Sequence, residues 1–326
     1  LFLLGTTLFG RSKPALLGAL LYAVEPLLVT MNAYLFADAL FGFLIAAFLL
    51  VHWNYLRGSA EWSGALEGTV AGLISWVKPW PAFLFPLLFL VKPKLRKTAL
   101  AFAAYLALVG GWAFRNYSVY EVPSLTALAG YNLYVFNRGA LLVKENPWNT
   151  YISIMDTLRK QAPENPLRRA QCLGALGLKD ILGNLREYVK AHVALSYPLF
   201  VESSYNSAVY GEPRPRTGIL SGFLLGKRKI CALKELLRAL ARYPTTAYEL
   251  GATAFGVLLL FLGLLGLFKL PKFDRAFGLS AALMLAYFLA TPGPAAQSRF
   301  RTAWAPVACA AAGALLARKE PTPPLP

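Results

Sequence analysis

The chain has 326 residues, of which 57% are hydrophobic and only 15% charged, with a mean hydropathy of +0.49. That balance excludes an ordinary soluble domain and marks an integral membrane protein. The net charge of +17 points to anionic lipid and not to nucleic acid, because the basic residues alternate with long apolar runs instead of gathering on one soluble face.

Apolar runs separated by short charged or Pro-containing breaks read as spanning helices, each needing roughly 20 residues unless tilted or interrupted. They fall at about 1–9, 14–31, 36–56, 64–76, 80–91, 98–114, 249–268, 276–290 and 302–317; the short runs 64–76 and 80–91 read as two short spans, which the alternation of basic breaks favours, or as a hairpin dipping part way across. The first is cut off: the chain opens on Leu1-Phe2-Leu3-Leu4 inside an apolar run, as a fragment or processed chain does. The predicted fold is all-α, a polytopic transmembrane bundle with a mostly helical extracytoplasmic domain before the last three helices. Its parts are residues 1–114, 115–248 and 249–326.

The basic residues set the orientation. Arg11 and Lys13, then Arg57, then Lys92, Lys94, Arg96 and Lys97, then Lys269, Lys272 and Arg275, and last Arg318 and Lys319 occupy alternate breaks. The positive-inside rule puts these in the cytoplasm and turns the breaks between them outward. This is the pattern of a multi-pass protein of a plasma or inner membrane.

Within 115–248, Asn165-Pro166 reads as an N-cap followed by proline at the first helical position. Ile181, Leu182, Leu185, Tyr188, Val189, His192 and Val193 recur at helical spacing and predict an amphipathic helix. A second, basic one is predicted around Ile230, Leu233, Leu236, Leu237 and Leu240, either on the membrane surface or packed on the outer domain. Gly211 to Arg216 reads as a loop. Of the three cysteines, Cys172 and Cys231 fall in this segment, where either a bridge or two thiols would fit, and Cys309 lies in an apolar helix. No metal set can be read from them. His52 and His192 lie far apart and suit packing better than metal binding.

Asp38 opens the run from Tyr34 to Leu56, and an ionised acid there costs about 2.5–3.5 kcal/mol if it lies at the bilayer centre, less near an interface. It either faces a water-filled cavity or caps the helix that follows. Glu25, Lys78, Gln297, Ser298, Arg299 and Arg301 are expected at the same outer face. Singly, the bases suit snorkelling to headgroups; together they suit an anionic leaving group. Trp76, Trp80 and Trp112 near span ends read as interfacial anchors, although an aromatic there also suits stacking on a sugar.

Glu25-Pro26 through Asp38, Gly72-Leu73 to Lys78-Pro79, Arg115-Asn116-Tyr117, Gly130-Tyr131-Asn132-Leu133-Tyr134 and Ser298-Arg299-Phe300-Arg301 follow one another in an order that resembles the GT-C superfamily of membrane glycosyltransferases. The resemblance is strongest to the branch holding protein O-mannosyltransferases and aminoarabinose transferases. It implies transfer of a sugar from a polyprenyl-phosphate carrier to an acceptor on the non-cytoplasmic face, with inversion. It also implies catalytic roles for Asp38 and Glu25 and substrate binding by Lys78, Gln297, Arg299, Arg301, Tyr131 and Asn132. Asp38 matches an acid that lines the cavity, Arg299 and Arg301 match a basic pair near the lipid phosphate, and Lys78 stands where relatives often carry arginine. The family's principal carboxylate belongs to a first outer loop that would lie upstream of Leu1. The implied partners are the lipid-linked donor, an unidentified acceptor and membrane lipid, with a partner subunit or a missing N-terminal segment supplying the rest. The cofactor is unknown, with a divalent cation as the one candidate. Two other functions fit the same residues: a transporter or flippase of lipid-linked sugars, and a non-catalytic assembly subunit.

Overall fold

The computed structural model describes residues 1–33, 37–92, 94–143, 147–160, 165–201, 237–238 and 244–317. The predicted basic helix around 230–240 falls almost wholly outside them. So do the loop 211–216, Cys231, Arg318 and Lys319. Among the described residues every regular element is helical.

In chain order the helices are α1 (Phe2–Phe9), α2 (Ser12–Ala23), α3 (Pro26–Ala33), α4 (Ala37–Arg57), α5 (Trp62–Val77), α6 (Leu84–Phe89) and α7 (Leu95–Tyr120). There follow α8 (Leu128–Tyr131), which runs on as a π-helix over Asn132–Arg138, then α9 (Pro147–Lys160), α10 (Pro166–Gly183), α11 (Leu185–Leu195) and α12 (Pro198–Val201). The last three are α13 (Pro244–Phe273), α14 (Arg275–Ala290) and α15 (Arg301–Gly313). Among the described residues three stretches are long and apolar enough to cross a membrane, Ala37–Arg57, Leu95–Tyr120 and Ala247–Phe273, and α14 is a shorter apolar helix.

Several expected spans are therefore shorter than anticipated, for physical reasons visible in the chain. The run 14–31 is divided at Glu25-Pro26, where proline starts a new helix and cannot continue the old one. The run 80–91 yields only the six residues of α6, about 9 Å of helix, because Pro79 and Pro81 hold the preceding backbone in turns. α15 has 13 residues, roughly 20 Å, and needs no more, because it is buried on nearly every side by protein.

Small residues let the helices approach closely. Gly64, Gly68 and Gly72 form one edge of α5. A Cβ on Gly64 or Gly68 would overlap the carbonyls of Lys97 or Ala101 on α7, and one on Gly72 would meet the Leu108 side chain at 2.7 Å. This is small-xxx-small packing, in which backbones touch and dispersion replaces the missing hydrophobic drive. The alanines of α15 play the same part: Ala308 and Ala311 face Gly263 and Gly266 of α13. α15 also packs on α2, α4 and α14, which makes it the centre of the bundle.

The polar breaks separate into two ends. At one, Arg57 pairs with Asp274, Lys97 donates to the carbonyls of Tyr55 (3.1 Å) and Gly58 (2.5 Å), and Lys269 donates to Leu315 (2.9 Å). Phe9 meets Phe273 there, which brings the break holding Arg11 and Lys13 to the same end. The alternation of basic breaks is thus a property of the packed chain. The other end carries Glu25, Asp38, Lys78, Arg299 and Arg301.

Helices α8 to α11 stack beside that second end. The Asn165 side chain accepts from the N–H groups of Leu167 and Arg168 (3.0 Å each), so it is the cap the Asn-Pro pair predicts. Arg115-Asn116-Tyr117 lies inside α7, which continues to Tyr120. Asn116 is buried and donates to the Ser124 carbonyl (2.7 Å), so it fastens the following turn.

Candidate functional site

The site is assembled from helix ends. Asp38 sits in the first turn of α4, and three residues on, over the same face, comes Phe41. Lys78 follows the last residue of α5 in extended conformation. Its ammonium pairs with Asp38 Oδ1 and lies 5.3 Å from the Phe41 ring centroid and 5.9 Å from that of Phe300. Such cation–π contacts hold a desolvated ammonium without neutralising it.

Phe300 ends the single turn Ser298–Phe300, so Arg299 arrives beside it. Arg299 is half-buried, and its Nε is buried without a partner among the described residues. Burial lowers the Lys78 pKa, the Asp38 carboxylate draws it back up, and the positive charge of Arg299 lowers it again. Three charges therefore share one neighbourhood: one acid against two bases, an excess of positive charge in poorly hydrated surroundings.

Trp80 forms the floor. Its ring stacks on Tyr287 at 6.0 Å and meets Phe288 and Phe300 edge-on at 5.3 and 5.7 Å, while Tyr287 Oη donates to the Trp80 carbonyl (2.6 Å). The indole N–H is buried and has no partner among the described residues. Two unpartnered buried donors, Arg299 Nε and Trp80 Nε1, both flank Phe300. Such groups are costly alone and call for an acceptor.

Glu25 and Arg301 form a separate buried pair. Glu25 Oε2 accepts from the Leu28 N–H (2.6 Å) and so caps α3, while Oε1 lies 3.4 Å from Arg301 Nη1. The guanidinium also donates to the carbonyls of Ala252 (2.6 Å) and Phe200 (2.8 Å). Its fork thus ties α3, α12, α13 and α15 together. With Glu25 and both Arg301 Nη atoms committed in this way, the two are positioning residues, and Arg301 Nε, like that of Arg299, is buried without a partner among the described residues. α3 packs on both α4 and the Ser298–Phe300 turn, which is how this clamp holds the neighbouring charges.

The remaining predicted residues stand apart. Gln297 is half-buried and its carbonyl accepts the Phe300 N–H (3.0 Å), so it shapes the turn. Asn132 is exposed and Tyr131 half-buried, both on the α8 segment beside α10, and no hydrogen bond joins either to Asp38, Lys78 or Arg299. His192 is a docking residue, 2.7 Å from the Ala290 carbonyl. Trp76 and Trp112 are partly exposed and pack on each other at 6.0 Å, as span-end aromatics do. Cys172 is exposed and free.

A second polar cluster lies nearer the opposite end. His52 Nδ1 is 2.5 Å from Glu67 Oε1, and Nε2 is 2.7 Å from Ser280 Oγ. Serine, imidazole and carboxylate stand in a row, but Ser280 is 1% exposed and the other two not at all, which leaves no approach for a substrate. The cluster joins α4, α5 and α14. The packing role expected for His52 fits this geometry, while Glu67 was not singled out in the sequence, although an acid inside an apolar run is itself the signal. Among the described residues no group of three His, Cys, Asp or Glu side chains could hold a metal ion.

No protein-family model, curated protein or solved structure matches this chain.

Proposed function

We propose that this chain is a membrane glycosyltransferase, or the greater part of one, that uses a sugar carried on a polyprenyl phosphate and works at the membrane face bearing Asp38, Lys78 and Arg299, the non-cytoplasmic one. One observation carries the reading: two cations and two unpartnered buried donors surround Phe300 at the end of an apolar bundle. A phosphate diester is the acceptor that suits them, and a donor with a lipid tail reaches such a site from the bilayer.

In the reaction the acceptor's oxygen attacks the sugar's anomeric carbon and the carbon–oxygen bond to the phosphate breaks, its electron pair leaving on the phosphate oxygen. Lys78 and Arg299 receive that charge as it grows. They act most strongly where water is scarce, and a good leaving group of this kind needs no protonating acid. Asp38 holds Lys78 in place and is the carboxylate within reach of the acceptor's proton. Arg301 and Glu25 keep the turn that presents Arg299.

The test is binding of sugar-free polyprenyl phosphate to the chain in lipid nanodiscs, followed by transfer of labelled sugar from the charged carrier. Saturable binding that Arg299→Ala weakens at least tenfold, with the protein still folded, supports the assignment. Equal binding by wild type and Arg299→Ala overturns it. Passage of the carrier across vesicles without a new glycosidic bond would make the chain a flippase.

A further inference from the structure

Helix α11 presents a surface that the catalytic reading does not use. Its protein-facing side is Tyr188, Ala191, His192 and Leu195, whereas Leu182 just before it and Leu185, Val189 and Val193 along it are each more than half exposed. At about 100° per residue, 185, 189 and 193 fall within roughly 80° of one another, directly beside the packed side. Arg186 and Lys190 follow next around the helix, at about 100° and 140° from Leu185, and both are exposed. The order around the axis is therefore protein, apolar stripe, basic flank.

The height of the helix is fixed by its anchor. His192 Nε2 donates to the carbonyl of Ala290, the last residue of α14, at 2.7 Å. Gly293, just beyond, has φ +46°, and a Cβ there would overlap the His192 ring. Tyr188 Oη lies 2.9 Å from His192 Nδ1 and donates to Asn137 (2.7 Å), which locks the same side of the helix. α11 is thus pinned where an apolar helix of the bundle ends, the level at which hydrocarbon gives way to headgroups.

We propose that α11 lies in the headgroup layer of the bilayer, with Leu185, Val189 and Val193 among the acyl chains and Arg186 and Lys190 on anionic lipid phosphates. A stripe of this width with cations on one flank is the pattern of interfacial helices, in which long basic side chains reach up while the apolar side sinks. The occupant is lipid, not a second protein, because the helix that carries the stripe is bonded at the end of apolar α14 and its flank is positive, opposite in sign to an anionic leaflet.

Single nitroxide labels test this, placed by Val189→Cys, Val193→Cys and Glu187→Cys in a chain whose own cysteines are replaced, with Phe43→Cys on exposed α4 as the reference for a lipid-facing span. The protein is reconstituted in vesicles containing anionic phosphatidylglycerol, and the accessibility of each label to oxygen and to a water-soluble nickel chelate is compared. At 189 and 193 the ratio of oxygen to nickel accessibility should exceed that at 187 several-fold and approach that at 43. A ratio at 189 and 193 equal to that at 187 shows a water-facing stripe and overturns the proposal. Low accessibility to both reagents shows a protein cover and overturns it equally. A water-like ratio at 43 refutes the membrane reading of the bundle itself, and with it this placement.

Discussion

The Glu25–Arg301 clamp offers the sharpest test of how the site is held. Glu25→Gln removes one charge at constant shape. At 3.4 Å, and with an effective dielectric of about 20, the pair's gross attraction is about 5 kcal/mol. Losing one member of a buried pair strands the other, which costs about 3–5 kcal/mol in unfolding free energy. Arg301 keeps the carbonyls of Ala252 and Phe200 in the variant, so the lower half of that range is expected. The glutamine oxygen still accepts from Leu28, and the cap on α3 survives. Glu25→Ala removes the cap as well and should cost about 1 kcal/mol more than Glu25→Gln. The assay is reversible unfolding in mixed micelles, titrated with dodecyl sulfate. If Glu25→Gln lies within about 0.5 kcal/mol of wild type, the range of an ordinary surface change, water reaches the pair and the clamp is not what positions Arg299.

Lys78→Arg tests the pH dependence of the cation. Burial holds the Lys78 pKa below its ordinary value, and the charged form is the one that receives the phosphate, so binding is present below that pKa and lost as pH rises through it. Arginine stays charged, so Lys78→Arg should move the alkaline limb of carrier binding upward, and an unmoved limb removes Lys78 from the site. At Gly256 a Cβ would fall 2.5 Å from Arg301 Cζ and 2.6 Å from Nη1. Because that guanidinium is held on several sides, Gly256→Ala should displace it and weaken carrier binding through Arg299, despite a helix propensity about 1 kcal/mol better; a normal binding curve would show that Arg301 has room to give. His52→Ala should destabilise by about 3–5 kcal/mol by leaving the Glu67 carboxylate buried without its imidazole, while Ser280 keeps the Ala276 carbonyl (3.1 Å). Ser280→Ala should cost only about 1 kcal/mol and leave carrier binding unchanged. Loss of activity in a stable Ser280→Ala variant would make that cluster catalytic.

Much of the helical plan was legible in the sequence because apolar runs and capping residues act locally. Asn165-Pro166 announces its helix, Asp38 lies in the first turn of α4, and basic breaks from distant parts of the chain meet at one end of the bundle. Lengths were harder to read. The 80–91 run is as apolar as a span, but two prolines deny it the backbone donors that a longer helix needs. α15 is short for a tertiary reason, enclosure by α2, α4, α13 and α14, and no window of its own residues records that enclosure. The Gly64, Gly68 and Gly72 edge was readable in principle, since spacing by four puts all three on one side of α5.

Within the candidate site, residue type was more legible than role. Glu25, Asp38, Lys78, Arg299 and Arg301 all stand out as charges at the edges of apolar runs, and the fold gathers them at one end of the bundle. What composition could not divide is the group that is spent on structure from the group left free. Arg299 and Arg301 are two residues apart and chemically identical, yet a turn of backbone sends one into a cage of carbonyls and a carboxylate that takes up both of its Nη atoms and sets the other close to Lys78; the Nε of each is buried without a partner among the described residues. The difference comes from Gly256, Ala252 and Phe200, residues with no charge and no motif. Partners decide whether a buried cation is structural or available, and those partners lie some 45 to 100 positions away in the chain.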